Sequence, residues 1–373
     1  MNNTDNTKKN LIILIGNGFD LAHGLKTSYS DFADYFIDFL ATYLISKNGN
    51  LYDDDDDEFL QKSFLTKYMG KRGSNEKLDI YFYIENFDIP YSRKEIIKLI
   101  KKDDYNLTED MFKNSFLSKL YRNGGYENWF DIENAYFEEL KKIVNSEIAN
   151  KSVIEEKVIK LNNELEDIKI RLIEYLNKID CKNKSCHSVL SFFNKISNEY
   201  DSIYTINFNY TCTAEKYISN FSNFKSINYI HGKLNDSSDQ IIFGYGNDLN
   251  VDYTKMKDTG IEDFLVNIKP REYIKYPNYS EILNVLNYYK KYDVYVLGHS
   301  LGLTDKTLLS EIIDTEKCNK LYIFKRADLK NNETELENSF MKIAYATGRI
   351  IEKESVLREK VVNYEEADFF PLI

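Results

Sequence analysis

A chain of 373 residues that is 43% hydrophobic can build a sizeable core and, at roughly 100–200 residues per domain, two or three folded units. Sixty acidic side chains against 49 basic ones leave a formal net charge of -11, which excludes a broad cationic surface for phosphate backbones, so no dedicated nucleic-acid surface is expected. Four cysteines are too few for a disulfide scaffold and are expected to be ordinary reduced thiols. Cys181 and Cys186-His187 suggest zinc, but a fourth ligand is not evident nearby and no metal is expected.

From the N-terminus, Met1 to Asn10 is polar and only five apolar residues follow, Leu11 to Ile15. That run is too short for a secretory signal core or a membrane span, so a cytoplasmic protein without a membrane partner is expected. Leu11-Ile-Ile-Leu-Ile15, bounded by Gly16, reads as a strand buried on both faces of a parallel sheet. Tyr29 to about Leu44 reads as helix, and the acidic run Asp53 to Glu58 as a solvated loop without the ligand spacing of an EF-hand. Residues from about Phe59 to Tyr200 are expected to be mainly helical. Ile154, Val158, Leu161, Leu165, Ile168, Leu172, Leu176 and Ile179 form one stripe at steps of three and four.

After Asp201 short apolar runs recur: Ile203–Ile206, Ile227–Ile230, Gln240–Phe243, Asp293–Leu297 and Leu321–Phe324. Most precede a helix-like stretch, such as Glu333 to Ala346. Alternating strands and helices predict an α/β fold with a Rossmann-like parallel sheet and a large helical insertion. On this reading residues 1–50 and 201–373 form the sheet domain and 51–200 the inserted subdomain.

Four motifs carry candidate chemistry. Gly16-Asn17-Gly18-Phe19-Asp20 through Gly24 follows the first strand. A glycine pair there lets the backbone approach a pyrophosphate, although Leu21 stands where the dinucleotide fingerprint wants a third glycine. Asn207 and Asn209 close the second strand, at the edge where a parallel sheet binds ligands; turn and helix capping is the alternative. His231, before Gly232, is a candidate general base, with a structural histidine as the alternative. Gly298-His299-Ser300-Leu-Gly302 follows a later strand, and Asp305 beyond it suits a sugar diol. The same five residues also have the G-x-S-x-G form of a nucleophile elbow, so a serine hydrolase using Ser300 is a rival, though no histidine follows His299 in the chain.

Taken in order, these motifs resemble the sirtuin family. Gly16-Asn-Gly18 through Gly24-Leu25 is similar to its Gly-Ala-Gly and Gly-Ile-Pro loop, Asn209 to its catalytic Asn, His231 to its catalytic His, and Gly298-His-Ser300-Leu to its Gly-Thr-Ser-Leu adenosine-side loop. Lys26, Tyr29 and Thr211 depart from the pattern, and the four-cysteine zinc module of deacetylases is absent. A closer resemblance, spread over most of the chain, is to the phage abortive-infection family AbiH. It is carried by Ile15 to Leu25, Trp129-Phe-Asp131-Ile-Glu133, Phe208-Asn-Tyr-Thr211, Ile230-His-Gly232 and Gly298-His-Ser-Leu301.

The resemblances imply NAD+ as substrate, cleaved at the nicotinamide–ribose bond with Asn209 and His231 as catalytic residues. Gly16, Asn17, Gly18, Phe19, Asp20, Gly24, Gly298, His299, Ser300 and Asp305 would hold the nucleotide. They also imply a phage-derived activator and leave homo-oligomerisation open. A nucleotide-binding sensor without turnover is the alternative from another class. Trp129, Asp131 and Glu133 are candidates either to close over the pocket or to serve as core and cap.

Overall fold

The computed structural model describes residues 9–36, 116, 120, 129–148, 150–181, 185–236 and 240–371. These fall into two compact units. One runs up to Thr27 and resumes at Leu176; the other lies within Ser28–Tyr175.

The first unit is built on five strands, β1 (Asn10–Ile15), β2 (Ser202–Asn207), β3 (Phe224–Tyr229), β4 (Tyr292–Leu297) and β5 (Cys318–Ile323). Every pairing is parallel and the order is β3-β2-β1-β4-β5, a Rossmann-like α/β sheet. All five were legible as apolar runs. β1 shows why: Leu11 through Ile15 are each fully buried, with alternate residues on opposite faces. Ile12 and Leu14 join a core with Ile282 and Leu286 of α8 (Asn278–Tyr288) and with Leu308, Leu309, Ile312 and Ile313 of α9 (Lys306–Ile313). Leu11, Ile13 and Ile15 face Val189, Phe193 and Ile196 of α4 (His187–Glu199), together with Tyr217 of α5 (Glu215–Ile218). Helices therefore cover both faces, as a parallel sheet requires.

Helix α4 belongs to the sheet, although the texture of the sequence assigns it to the insertion. Its buried positions recur at steps of four and three, and that stripe joins the core formed by β1, β2 and α5. Gln240–Phe243 is not a strand; it is irregular chain tied to the third strand's loop by Ile242 N–H donating to the His231 carbonyl at 2.9 Å.

In the second unit, residues 29–36 are helical, followed among the described residues by α2 (Trp129–Val144) and α3 (Lys151–Leu176). Of the predicted stripe, Val158, Leu161, Leu165, Ile168, Leu172 and Leu176 are buried, whereas Ile154 is half-buried and Ile179 lies past the helix end. Glu133 is buried on α2, and Tyr136 donates to Asn162 Oδ1 at 2.6 Å. The acidic run 53–58 and the later part of the helix expected over 29–44 lie outside the described residues.

Candidate functional site

In an open parallel sheet the loops at the carboxyl ends of the strands converge, and order 3-2-1-4-5 puts the topological switch between β1 and β4. The loops after β1 and β4 meet there backbone to backbone. Gly16 N–H donates to the Leu297 carbonyl at 3.1 Å and Gly18 N–H to the Gly298 carbonyl at 2.8 Å. A Cβ on Gly16 would lie 2.5 Å from His299 Cα, and one on Gly298, where φ is +71°, 2.2 Å from the Phe19 nitrogen. The glycines are required by this approach of loop to loop. The Gly16 and Gly18 amides are bonded inside the protein and are not turned out to meet a pyrophosphate.

Helix α1 (Asn17–Ala22) gives the remaining loop residues their places. Asn17 Oδ1 accepts from the Thr27 hydroxyl at 2.6 Å. Phe19 is no ligand contact: it is 1% exposed and packs on Phe193, Tyr217 and Phe370 in the core. Gly24, with φ at +69°, makes the turn that ends the helix. Asp20 faces inward, accepting the Thr211 hydroxyl at 2.5 Å on Oδ2, while among the described residues no partner stands in hydrogen-bonding geometry to its buried Oδ1. Burial raises its carboxyl to about 6, against the lowering effect of Thr211, Thr213 and Asn209. Its paired oxygen faces the loop after β2.

The loop after β2 is wound by its own asparagines. Asn207 Oδ1 accepts the Asn209 N–H at 3.0 Å and Asn207 Nδ2 donates to the Thr211 carbonyl at 3.3 Å. Asn209 then reaches across, its Nδ2 donating to the Gly16 carbonyl at 3.0 Å. So Asn207 shapes the turn and Asn209 presents its side chain to the glycine loop. Cys212, in the same loop, is bonded to Cys181 as a disulfide, with the two Cα atoms 6.0 Å apart. The expectation of reduced cysteines therefore holds only for Cys186 and Cys318. Spacing along the chain does not show that the two segments converge beside α5, where Lys216 Nζ donates to the Cys181 carbonyl at 3.2 Å.

The titratable groups converge between the loops after β3 and β4. His231 Nε2 lies 3.0 Å from Asp305 Oδ1, and Lys269 Nζ lies 2.8 Å from the same oxygen. His299 Nε2 lies 3.7 Å from Asp305 Oδ2, and its Nδ1 accepts the Leu301 N–H at 3.0 Å. All four side chains are under a tenth exposed. Burial pushes the Asp305 carboxyl up, but the Lys269 ammonium, then His231, outweigh it and hold the group far below the usual carboxylate range. Burial lowers His299 to about 4, so it is a neutral imidazole.

With a proton assigned to His231 Nε2 to meet the carboxylate, Nδ1 is the other ring nitrogen, and among the described residues nothing hydrogen-bonds to that atom. Phe208 packs edge-on to His231 and closely on His299, with ring centroids 5.4 and 4.1 Å apart. Tyr273 lies parallel to the His231 ring, its hydroxyl 3.4 Å from Nε2.

Of the predicted residues, then, the structure gathers His231, His299 and Asp305 into one cluster and joins Asn209 to Gly16. It puts Gly298 and Ser300 at the exposed rim. Asp305 is the partner of a histidine and a lysine, which its expected role at a sugar diol did not include. The elbow reading of Ser300 loses its geometry. The positive φ values fall at Gly298 and Leu301, not at Ser300, and among the described residues no hydrogen bond ties Ser300 to either imidazole. Sequence reasoning missed Lys269 and Tyr273, which sit on α7 (Lys269–Glu272) and its C-terminal cap.

The family model for bacteriophage abortive infection AbiH matches residues 12–325, a span that contains both glycine loops, Asn209 and the whole His231–Lys269–His299–Asp305 cluster. The chain belongs to the AbiH family. That membership assigns it a role in phage abortive infection. No curated protein matches it. Among the described residues of this AbiH chain, no helix is long and apolar enough to cross a membrane.

Proposed function

We propose that the protein acts in abortive infection by hydrolysing NAD+ at the nicotinamide–ribose bond in a sirtuin-like site, with His231 as general base. The observation that carries this reading is the His231–Asp305 pair at the carboxyl edge of a Rossmann-like sheet. A carboxylate that accepts from one imidazole nitrogen fixes the tautomer and orients the ring, leaving the other nitrogen as the base. In the reaction a water attacks C1′ of the nicotinamide ribose and gives its proton to His231 Nδ1. The C1′–N bond breaks with its electron pair going to the pyridinium nitrogen, so nicotinamide leaves neutral and ADP-ribose remains.

Asn209, 8% exposed and already reaching to the glycine loop, is the group to orient the ribose or the water. Because the Gly16 and Gly18 amides are bonded within the protein, the nucleotide on this reading lies on the outer side of that turn, against exposed Gly298 and Ser300. The test is release of free nicotinamide from NAD+ by the purified protein, with and without lysate from phage-infected cells. A triggered protein that protects cells while leaving NAD+ intact would overturn hydrolysis and establish a sensor in its place.

A further inference from the structure

Lys269 is 1% exposed, and hydrolysis as written above gives it no task. Its burial is built into the backbone. Lys269 N–H donates to the Tyr245 carbonyl at 2.8 Å, and Pro270 follows at the start of a helical turn. Gly246 lies directly on the lysine's stem, where an added Cβ would come within 3.3 Å of Lys269 Cβ and 3.2 Å of its Cδ, besides 2.3 Å from the Thr304 carbonyl oxygen. This packing delivers an ammonium to the oxygen that His231 also uses. An ion taken wholly out of water is expensive to keep, and an apolar side chain of similar volume often serves stability as well.

We propose that Lys269 is a positioning residue that keeps His231 a neutral base. It holds Asp305 ionised, so that the imidazole stays oriented. It also takes up enough of that carboxylate's charge that the imidazole is not fixed as an imidazolium. Among the described residues the groups that face His231 are Asp305 ahead of α9, Lys269 and Tyr273 from α7 and its cap, His299 from the loop after β4, and Tyr210 and Phe208 from the loop after β2. Asp305 is the anion among them and Lys269 the fixed cation. Without the ammonium, a buried carboxylate would bear with its full charge on His231, and the protonated ring would win. The inference rests on reading His231 as the base, but its test does not require turnover.

The test follows the His231 ring signals by NMR from acid to alkaline pH, identified by their loss in His231→Asn. It uses the full chain as wild type, Lys269→Met, Lys269→Gln and Lys269→Arg. In the Met variant the ring should keep its proton to a pH about one to two units higher than in the wild type. The Gln variant, which still donates to Asp305 without a charge, should do the same and carries the test if the Met variant does not fold. The Arg variant should track the wild type. A folded Gln or Met variant whose His231 titrates with the wild type overturns the proposal. Where nicotinamide release is measurable, the acid limb of kcat/KM should move with the NMR midpoint and return in the Arg variant. A shifted titration in a protein that never cleaves NAD+ sustains the role of Lys269 and sinks the hydrolysis reading; release with an unshifted titration does the reverse.

Discussion

Gly18 donates its amide to the Gly298 carbonyl at 2.8 Å, so the loops that end β1 and β4 close directly on one another. Gly298→Ala should therefore lose at least about 2 kcal/mol, because the left-handed backbone costs roughly 1–2 kcal/mol for a residue with a Cβ and the contact with Phe19 adds overpacking. Ser300→Ala, two residues on and exposed, should stay within about 0.5 kcal/mol. Denaturant unfolding of the two variants side by side measures the contrast. Equal losses would mean that the glycine is not held there by packing.

His231→Ala should lower nicotinamide release by roughly a hundred- to ten-thousand-fold per folded molecule. Asp305→Asn should match it in rate, since an amide can turn the imidazole to the wrong tautomer. It should differ in stability. Removing the carboxylate leaves the buried Lys269 ammonium without its counter-charge, a loss of about 3–5 kcal/mol. Rates normalised to folded protein, read beside thermal melting, separate the two effects.

Asn209→Ala should depress turnover sharply and also soften the glycine loop, because the Gly16 carbonyl loses one of its donors. Asn207→Ala should damage stability more than chemistry, since Asn207 is 1% exposed and its side chain winds the turn by bonding the Asn209 N–H and the Thr211 carbonyl. A kcat loss in the Asn207 variant that exceeds the loss for Asn209 would reverse their roles.

Asp20 makes stability fall as pH rises. Its carboxyl sits near 6 in the folded chain against 3.8 for the free group, so the native state holds the proton more tightly. That contribution is whole below 3.8 and is lost as pH climbs through about 6. Asp20→Asn should consequently stabilise the protein at neutral pH, by up to about 3 kcal/mol, and should give no advantage in acid. Urea midpoints at the two pH values decide it; a gain that is the same at both removes the buried carboxylate as the cause.

Denatured, unreduced protein should titrate two thiols, Cys186 and Cys318, and four after reduction. Reduction should cost on the order of 3–4 kcal/mol, because the bond closes a separation of 31 residues in the unfolded chain. Four thiols before reduction would show that Cys181 and Cys212 are not joined.

The strands were legible as short apolar runs, most plainly Leu11 to Ile15, whose residues are buried on both faces of the sheet. Their neighbours were not, since nothing local in β1 says that Ile13 sits beside both Thr205 and Tyr295. His231 and Asp305 were each visible as polar residues just beyond an apolar run, but their pairing was not, being made by the fold. Lys269 carries no local sign at all: a lysine before a proline looks like a surface turn until Tyr245, Gly246 and Asp305 are brought around it. Phe19 and Asp20 misled for the opposite reason. They lie inside a motif whose glycines touch the site, while their own side chains point to the core and beneath the loop.

The pairing of Asn10 with Ser202 has a consequence for biosynthesis. A ribosome needs on the order of tens of seconds to reach β2 after β1 has emerged, and longer still to reach β4. Through that interval the apolar run Leu11 to Ile15 has no partner strand, so the nascent chain is a natural client for chaperones. Asn209, His231, Lys269 and Asp305 are likewise made one after another, so a product that stops before Asp305 carries His231 and Lys269 without the carboxylate that pairs them.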